Sequence, residues 1–143
     1  AVPVSMHSFG QIGLDDFILE KIEFGGTLSV LHPTNFNRAF YKRTRLREIL
    51  CEFDMTENTR DNYAFSGCSS LETVRFTVGS IRISMFFGDS KNLTDATIQS
   101  IIDGLADLTG GTAQTLTLHA TVGAKLTDAQ KANAAAKNWT LSY

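Results

Sequence analysis

The feature that most constrains the fold of this chain is an internal repeat of about 25 residues. The segment 39–49 (AFYKRTRLREI) aligns with 64–74 (AFSGCSSLETV) at a constant offset of 25 residues. A partial third copy, 86–93 (FFGDSKNL), follows, and the anchoring leucines of the three copies are Leu46, Leu71 and Leu93. A unit this short cannot bury its apolar side alone, so neighbouring units must stack to form a core.

Each complete copy ends in a short strand pattern, Leu-x-x-Ile or Leu-x-x-Val, whose apolar residues alternate with polar ones. The same pattern occurs upstream at 19–24 (LEKIEF), and two shorter strand patterns occur downstream at 115–118 and 138–141. A spacing of 22–27 residues lies within the range of leucine-rich repeats. Stacked units of this kind predict a parallel ladder of strands, with Phe40, Phe65 and Phe87 forming a stacked apolar column inside the core.

The second copy resembles the BspA-type leucine-rich repeat of bacterial surface proteins, whose unit reads Ala-Phe-x-x-Cys-x-x-Leu-x-x-Ile. Residues 64–74 match this unit, while Arg43 and Ser90 stand at the cysteine position in the other two copies. The resemblance implies a short leucine-rich-repeat solenoid. It also implies a role in adhesion or recognition of a protein or glycan partner.

The last fifty residues have a different pattern, which predicts two helices. The tetrapeptide Leu-Thr-Asp-Ala occurs at 93–96 and again at 126–129. Each threonine suits a helix N-cap, each aspartate suits the first turn, and Gln130 completes a capping box with Thr127. The first helix is expected to end at 109–111 (TGG), and the second to span 128–137. The first helix has an apolar stripe formed by Ile98, Ile101, Ile102, Leu105 and Leu108.

Each predicted helix leads into a predicted strand, 115–119 and 139–143. This helix–strand–helix–strand segment resembles the C-terminal segment that follows BspA-like repeats in proteins of gut bacteria and their prophages. Repeat arrays need an atypical terminal unit to cover the last apolar face. We therefore expect an α/β fold and a single domain over 1–143, with repeat units over about 15–92 and a C-terminal cap over 93–143 that extends the ladder.

Composition excludes several classes of protein. Thirteen basic and fifteen acidic residues give a formal net charge of -2, which argues against nucleic-acid binding. No apolar run approaches the ~20 residues of a membrane-spanning helix, so membrane insertion is not expected. The chain starts at Ala1 without a signal-peptide pattern, which is compatible with removal of a signal or with trimming. Cys51 and Cys68 fall on apolar positions and are expected to be buried free thiols, although a bridge between them is an alternative.

The residues that carry chemistry do not form a recognisable catalytic or metal-binding pattern. The histidines share no metal-ligand spacing, no signature flanks the pair Cys51 and His32, and the glycine pairs 25–26 and 110–111 lack a phosphate-loop motif. Asp103 and Asp107 are spaced to share a helix face, where solvation is expected. The sequence predicts no enzyme, metal site or cofactor. The same absence of a catalytic or metal-binding pattern applies to four further titratable residues: Asp15, Asp16, His7 and His119.

The outward positions of the strand ladder form the candidate binding face. If Leu19, Ile22 and Phe24 point inward, the intervening side chains point outward. Lys21 should then neighbour Glu48, while Glu23, Leu50 and Arg75 should form a second row, and later strands should continue the surface. These same residues are also compatible with an ordinary solvated strand face. The candidate residues are Lys21, Glu23, Glu48, Leu50, Thr73, Arg75, Thr117 and His119, with Tyr41 and Thr140 as further contacts.

The resemblance, taken with this face, implies a non-enzymatic recognition module of a bacterial surface or phage-associated protein, located outside the cell or at its surface. Two alternatives stay open at this point. One is a structural scaffold or spacer of a phage tail or cell envelope, and the other is a targeting domain of a larger enzyme.

Overall fold

A computed structural model describes residues 3–5, 19–23, 29–59 and 63–143. The fold is mixed α/β with parallel sheets, as predicted. Four residues or pairs considered above, Phe24, His7, Asp15–Asp16 and Gly25–Gly26, lie outside the described residues. The strands are β1 (Pro3–Ser5), β2 (Lys21–Glu23), β3 (Val30–Asn35), β4 (Glu48–Phe53), β5 (Thr73–Phe76), β6 (Met85–Phe87), β7 (Gln114–Leu118) and β8 (Trp139–Ser142). The helices are α1 (Asp95–Gly104), α2 (Ala120–Gly123) and α3 (Asp128–Ala136).

The first sheet is built around β4, and all of its strand pairs are parallel. On one edge, β4 pairs with β2 through its first half and with β3 through its second half. On the other edge it pairs with β5, and β1 extends the sheet beyond β3. The predicted parallel pairing of the Leu19, Leu46 and Leu71 units is therefore confirmed. Strands β1 and β3 were not predicted. In β3, Pro33 interrupts the strand pattern, because proline is unfavourable inside a strand.

Helix α1 occupies the open edge of β5, where a further strand would otherwise pair. The Thr97 hydroxyl accepts a hydrogen bond from the Val74 N–H (3.4 Å) and donates one to the Glu72 carbonyl (2.7 Å). The Ser100 hydroxyl accepts from the Phe76 N–H at 3.0 Å. These two side chains satisfy backbone groups that an unpaired edge would expose.

The predicted extension of the first ladder by the C-terminal strands is wrong. Strands β7 and β8 pair with β6 in a separate three-stranded parallel sheet. The first sheet ends at β5 because α1 takes its edge, so a further strand cannot pair there. The two sheets share one core, because a continuous cluster of buried residues runs from Ile22 to Trp139.

The predicted column of phenylalanines is confirmed. The Phe65 ring lies 5.6 Å from that of Phe40 and 4.7 Å from that of Phe87, and both pairs are stacked. All three side chains are fully buried. Phe36, which precedes the first repeat, packs edge-on against Phe40 and Phe65 and was missed because its neighbours carry no repeat motif.

The helices of the C-terminal segment begin as predicted but differ in length and number. Thr94 and Thr127 are N-caps, and Thr127 forms the expected capping box with Gln130. Helix α1 ends at Gly104, several residues early. The chain there pairs with Ile81, whose N–H donates to the Gly104 carbonyl at 2.8 Å and whose carbonyl accepts from the Ala106 N–H at 2.8 Å. The short helix α2 was not predicted.

Both cysteines are free and buried, as expected. Burial raises the pKa of the Cys51 thiol and of the Cys68 thiol to about 12. The Cys68 thiol donates to the Phe40 carbonyl at 3.1 Å, and Ser90, at the same repeat position, donates to the Cys68 carbonyl at 2.9 Å. The cysteine position of the repeat thus tolerates either side chain, because each reaches a carbonyl of the preceding unit.

Candidate binding surfaces

The outward side of the first sheet, which we call the strand face, places five of the predicted residues on neighbouring strands. Lys21 lies opposite Glu48, which lies opposite Thr73, and Glu23 lies opposite Leu50. This register follows the prediction. Arg75 differs, because it lies opposite Glu52 and not opposite Leu50. The register shifts between Glu48 and Glu52, so β4 holds two more residues than β5 over this stretch.

The charged groups of the strand face are weakly paired and remain in contact with solvent. The Lys21 ammonium lies 3.4 Å from a carboxylate oxygen of Glu23 and 4.0 Å from one of Glu48. The Glu52 carboxylate accepts a 2.6 Å hydrogen bond from the Thr77 hydroxyl, and Arg75 is exposed. Exposed ion pairs contribute little to stability, so these groups are available for a partner.

A shallow depression of about 160 Å³ adjoins this face and is lined by Glu20, Lys21, Arg47 and Glu48. Its wall includes an ion pair in which two guanidinium nitrogens of Arg47 lie 3.2 and 3.3 Å from the Glu72 carboxylate oxygens. The Glu72 carboxylate raises the pKa of Arg47 by hydrogen bonding and by charge. The depression combines both signs of charge.

Two expected apolar contacts are less exposed than predicted. Leu50 and Tyr41 are both half-buried. Among the described residues, the exposed large apolar side chains are Val30, Tyr63, Val78, Phe86 and Tyr143.

Thr117 and His119 are not part of the strand face. Thr117 lies on β7 in the second sheet, opposite Phe86 and Ser142. Thr140 lies in the same sheet, opposite Thr115. His119 follows β7 and is the N-cap of α2, where its Nδ1 accepts from the Thr121 N–H at 3.1 Å. The prediction failed because it assumed one continuous ladder.

A cluster of tyrosines and cations, missed at the sequence level, lies on the turns of the first two repeats. The Arg38 guanidinium carbon is 5.3 Å from the Tyr41 ring centre and 5.9 Å from that of Tyr63. The Lys42 ammonium is 5.2 Å from the Tyr41 ring centre, and the two rings meet edge to face at 6.3 Å. We call these four residues the tyrosine–cation cluster. The run of basic residues over 38–47 could have indicated it.

The backbone of this cluster is strained. Four non-glycine residues of the described segments have positive φ, and three belong to the cluster: Arg38 (55°), Lys42 (58°) and Tyr63 (62°). The left-handed conformation costs roughly 1–2 kcal/mol for a residue with a Cβ. The second repeat has Gly67 (φ 79°) at the position equivalent to Lys42, which avoids this cost.

Among the described groups considered for catalysis, His32 is paired with a carboxylate. His32 Nδ1 lies 3.3 Å from an Asp54 carboxylate oxygen. Partial burial disfavours ionisation of Asp54, but hydrogen bonds from Thr56 and the charge of His32 outweigh it and lower the pKa of Asp54. Asp107 lies beyond the end of α1, so it does not share a helix face with Asp103.

The described segments contain no group of three histidine, cysteine or acidic side chains able to hold a metal ion. No helix within them is long and apolar enough to cross a membrane.

An open groove of about 570 Å³ between α1 and α3 is lined by Asp95, Ile98, Gln99, Lys125, Thr127 and Gln130. The Gln130 side-chain amide donates a hydrogen bond across this groove to the Gln99 side-chain oxygen, at 2.8 Å.

Comparison with known proteins adds no assignment. No family model matches the sequence, and neither the curated proteins nor the solved structures give a significant match.

Proposed function

We propose that this chain is a non-enzymatic leucine-rich-repeat module of the BspA-like kind, which recognises a protein or glycan partner at a bacterial or phage-associated surface. The observation that carries the proposal is the strand face. Its charged and polar side chains stand in register on parallel strands, from Lys21 through Glu48 to Thr73. Stacked repeats commonly bind partners through such a face.

The proposal treats the fold as a short solenoid, and the pattern of contacts between units supports this. Side-chain hydrogen bonds join residues 25 positions apart at several levels, as in Ser69 to the Thr44 carbonyl and Thr59 to the Thr34 carbonyl. The positive φ of Lys42 recurs at Gly67, and that of Arg38 recurs at Tyr63. Equivalent positions therefore share both backbone shape and partners.

Segment 93–143 is the cap of this array in the proposal. Helix α1 covers the edge of β5 through Thr97 and Ser100. A terminal unit that satisfies the last edge and covers the last apolar face is what a repeat array requires.

The test is a strand-face variant in which Lys21, Glu48, Leu50 and Arg75 are all replaced by serine. We expect loss of binding on an array of purified glycans and extracellular proteins. The control replaces Lys91, Glu57, Val78 and Lys125 by serine, which removes three charged side chains and one aliphatic side chain at exposed positions outside the strand face. Binding that survives in the strand-face variant would refute the proposed surface, and absence of all binding by the unmodified protein would favour a structural scaffold.

A further inference from the structure

We infer that the tyrosine–cation cluster is a second, separate binding site, and that its ligand is an anionic polysaccharide. The cluster consists of Arg38, Tyr41, Lys42 and Tyr63. It lies on the turns between strands and not on the strand face, so it does not depend on the function proposed above.

The first argument is that the cations are held in place with their hydrogen-bond donors available. A guanidinium or ammonium near an aromatic ring is attracted by the ring's charge distribution and does not need its N–H groups for that contact. Within the described residues, the ion pairs involve other cations, and no carboxylate lies within salt-bridge distance of Arg38 or Lys42. Pre-ordered donors can therefore bind a carboxylate or sulfate at a low entropic cost.

The second argument is the exposed aromatic surface. Tyr63 is 56% exposed, although its ring contacts that of Tyr41. A large exposed ring beside two cations can pack against the apolar C–H face of a sugar, while the cations bind its acidic substituent. Tyrosine suits this role because it combines a rigid apolar ring with a polar end.

The third argument is that the fold maintains this cluster against backbone strain. Arg38, Lys42 and Tyr63 all adopt positive φ, and the equivalent of Lys42 in the next repeat is Gly67. Glycine would fit the Lys42 position without strain, so the fold alone does not require lysine there. Strained residues that cluster at one surface point to a function for their side chains.

The charge of the molecule favours a polysaccharide over a nucleic acid. The chain has a net charge of -2, and the cluster contributes only two cations. A phosphate backbone has a high linear charge density and is usually matched by an extended basic surface. An acidic polysaccharide presents an acidic group next to the apolar C–H face of a sugar ring, which matches two cations beside an exposed tyrosine.

Binding is tested with the intact chain and four probes: polygalacturonate, dextran sulfate, neutral dextran and single-stranded dT20. We expect binding to polygalacturonate, to dextran sulfate or to both, which identifies the acidic group, and none to dextran. High salt should weaken it, because the exposed charges are screened. Equal binding to dextran, tighter binding to dT20, or no binding to either anionic polysaccharide would overturn the inference.

The variant Lys42→Gly separates binding from folding. It removes a cation and relieves backbone strain, so the Tm should be unchanged or higher while the Kd rises at least fivefold. Arg38→Gln and Tyr63→Asn should also weaken binding, whereas Lys125→Ala, which removes an exposed charge elsewhere, should leave the Kd within twofold. If Lys42→Gly and Arg38→Gln both bind normally, the cluster serves only the turn and the inference is wrong. The strand-face serine variant should bind the polysaccharide normally, so the two proposals can fail separately.

Discussion

At the scale of single residues, burial changes the acidity of the two thiols. Burial raises the pKa of Cys51 and of Cys68 from 9.0 to about 12. The folded protein therefore holds both thiols neutral at a pH where the unfolded chain would lose their protons. Their contribution to stability is fully present below about pH 9 and is lost as the pH rises toward 12.

The resulting prediction is a decrease in the free energy of unfolding above pH 9. The slope should approach about 1.4 kcal/mol per pH unit for each thiol. Urea denaturation at pH 8, 9 and 10 measures it, with the Cys51→Ala, Cys68→Ala double variant as the control for other titrating groups. The double variant should show a smaller slope, and an identical slope would contradict the assignment. A thiol reagent at pH 8 should label the native protein only as it unfolds.

Serine substitution should distinguish the two thiols. Cys68→Ser should lower the free energy of unfolding by less than about 1 kcal/mol, because the hydroxyl can donate to the Phe40 carbonyl as the thiol does. Ser90 donates to the Cys68 carbonyl in a similar way. Cys51→Ser buries a hydroxyl in an apolar site and should therefore lower the free energy of unfolding by about 1–3 kcal/mol. Chemical denaturation at pH 7 gives both values, and equal costs would refute the role assigned to the carbonyl partner.

At the scale of elements, the contact between α1 and β5 depends on hydroxyl groups. Thr97→Val keeps the shape of the side chain but leaves the Val74 N–H and the Glu72 carbonyl without this partner. We expect a loss of about 1–3 kcal/mol in the free energy of unfolding. Thr140→Val on the exposed side of β8 is the matched control and should change stability by less than about 0.5 kcal/mol. Similar losses in the two variants would contradict the bridging role of Thr97.

The features that the sequence predicted well are those that a motif or the repeat period records. Thr127 and Gln130 mark the start of α3 by their own spacing, and the period of 25 residues places Phe40 on Phe65. Elements set by distant contacts were missed. Helix α1 ends at Gly104 because of Ile81, more than twenty residues away, and no local pattern records that pairing.

The candidate site was predicted only in part, for a similar physical reason. The pairing of Lys21 with Glu48 follows from strand alternation. The displacement of Arg75 toward Glu52 requires two additional residues in β4, and repeat spacing alone does not reveal where they are placed. The tyrosine–cation cluster joins Arg38 to Tyr63 through turn geometry, which is outside any strand or helix periodicity.

At the scale of the whole molecule, Phe87 joins the two sheets. Its ring stacks on Phe65 in the column, and its backbone belongs to β6, where it lies opposite Leu118. Phe87→Ala should reduce the free energy of unfolding by about 3–5 kcal/mol, since it leaves a cavity in the shared core. The neighbouring Phe86 is partly exposed, so Phe86→Ala should reduce the free energy of unfolding much less. If the order were reversed, the register of β6 would be wrong.

The shared core also predicts that the chain unfolds in one step. Trp139, the single tryptophan, is buried near the C-terminus and donates to the Ala106 carbonyl at 2.9 Å, whereas the thiols report on the repeats. Tryptophan fluorescence and thiol accessibility should therefore give the same urea midpoint. Two different midpoints would show that the repeats and the cap segment unfold independently.

Three hydrogen bonds that span 25 residues have a consequence for how such a chain can change in length. Hydrogen bonds join Thr34 to Thr59, Thr44 to Ser69, and Glu52 to Thr77, always across 25 residues. A duplicated block of 25 residues would place each new side chain beside a partner of the type it already has. Helix α1 would still meet the last strand through the same two hydroxyls. The gene for such a protein can therefore gain or lose whole units by in-frame duplication or deletion, while an insertion of another length within the first two repeats would separate these three pairs.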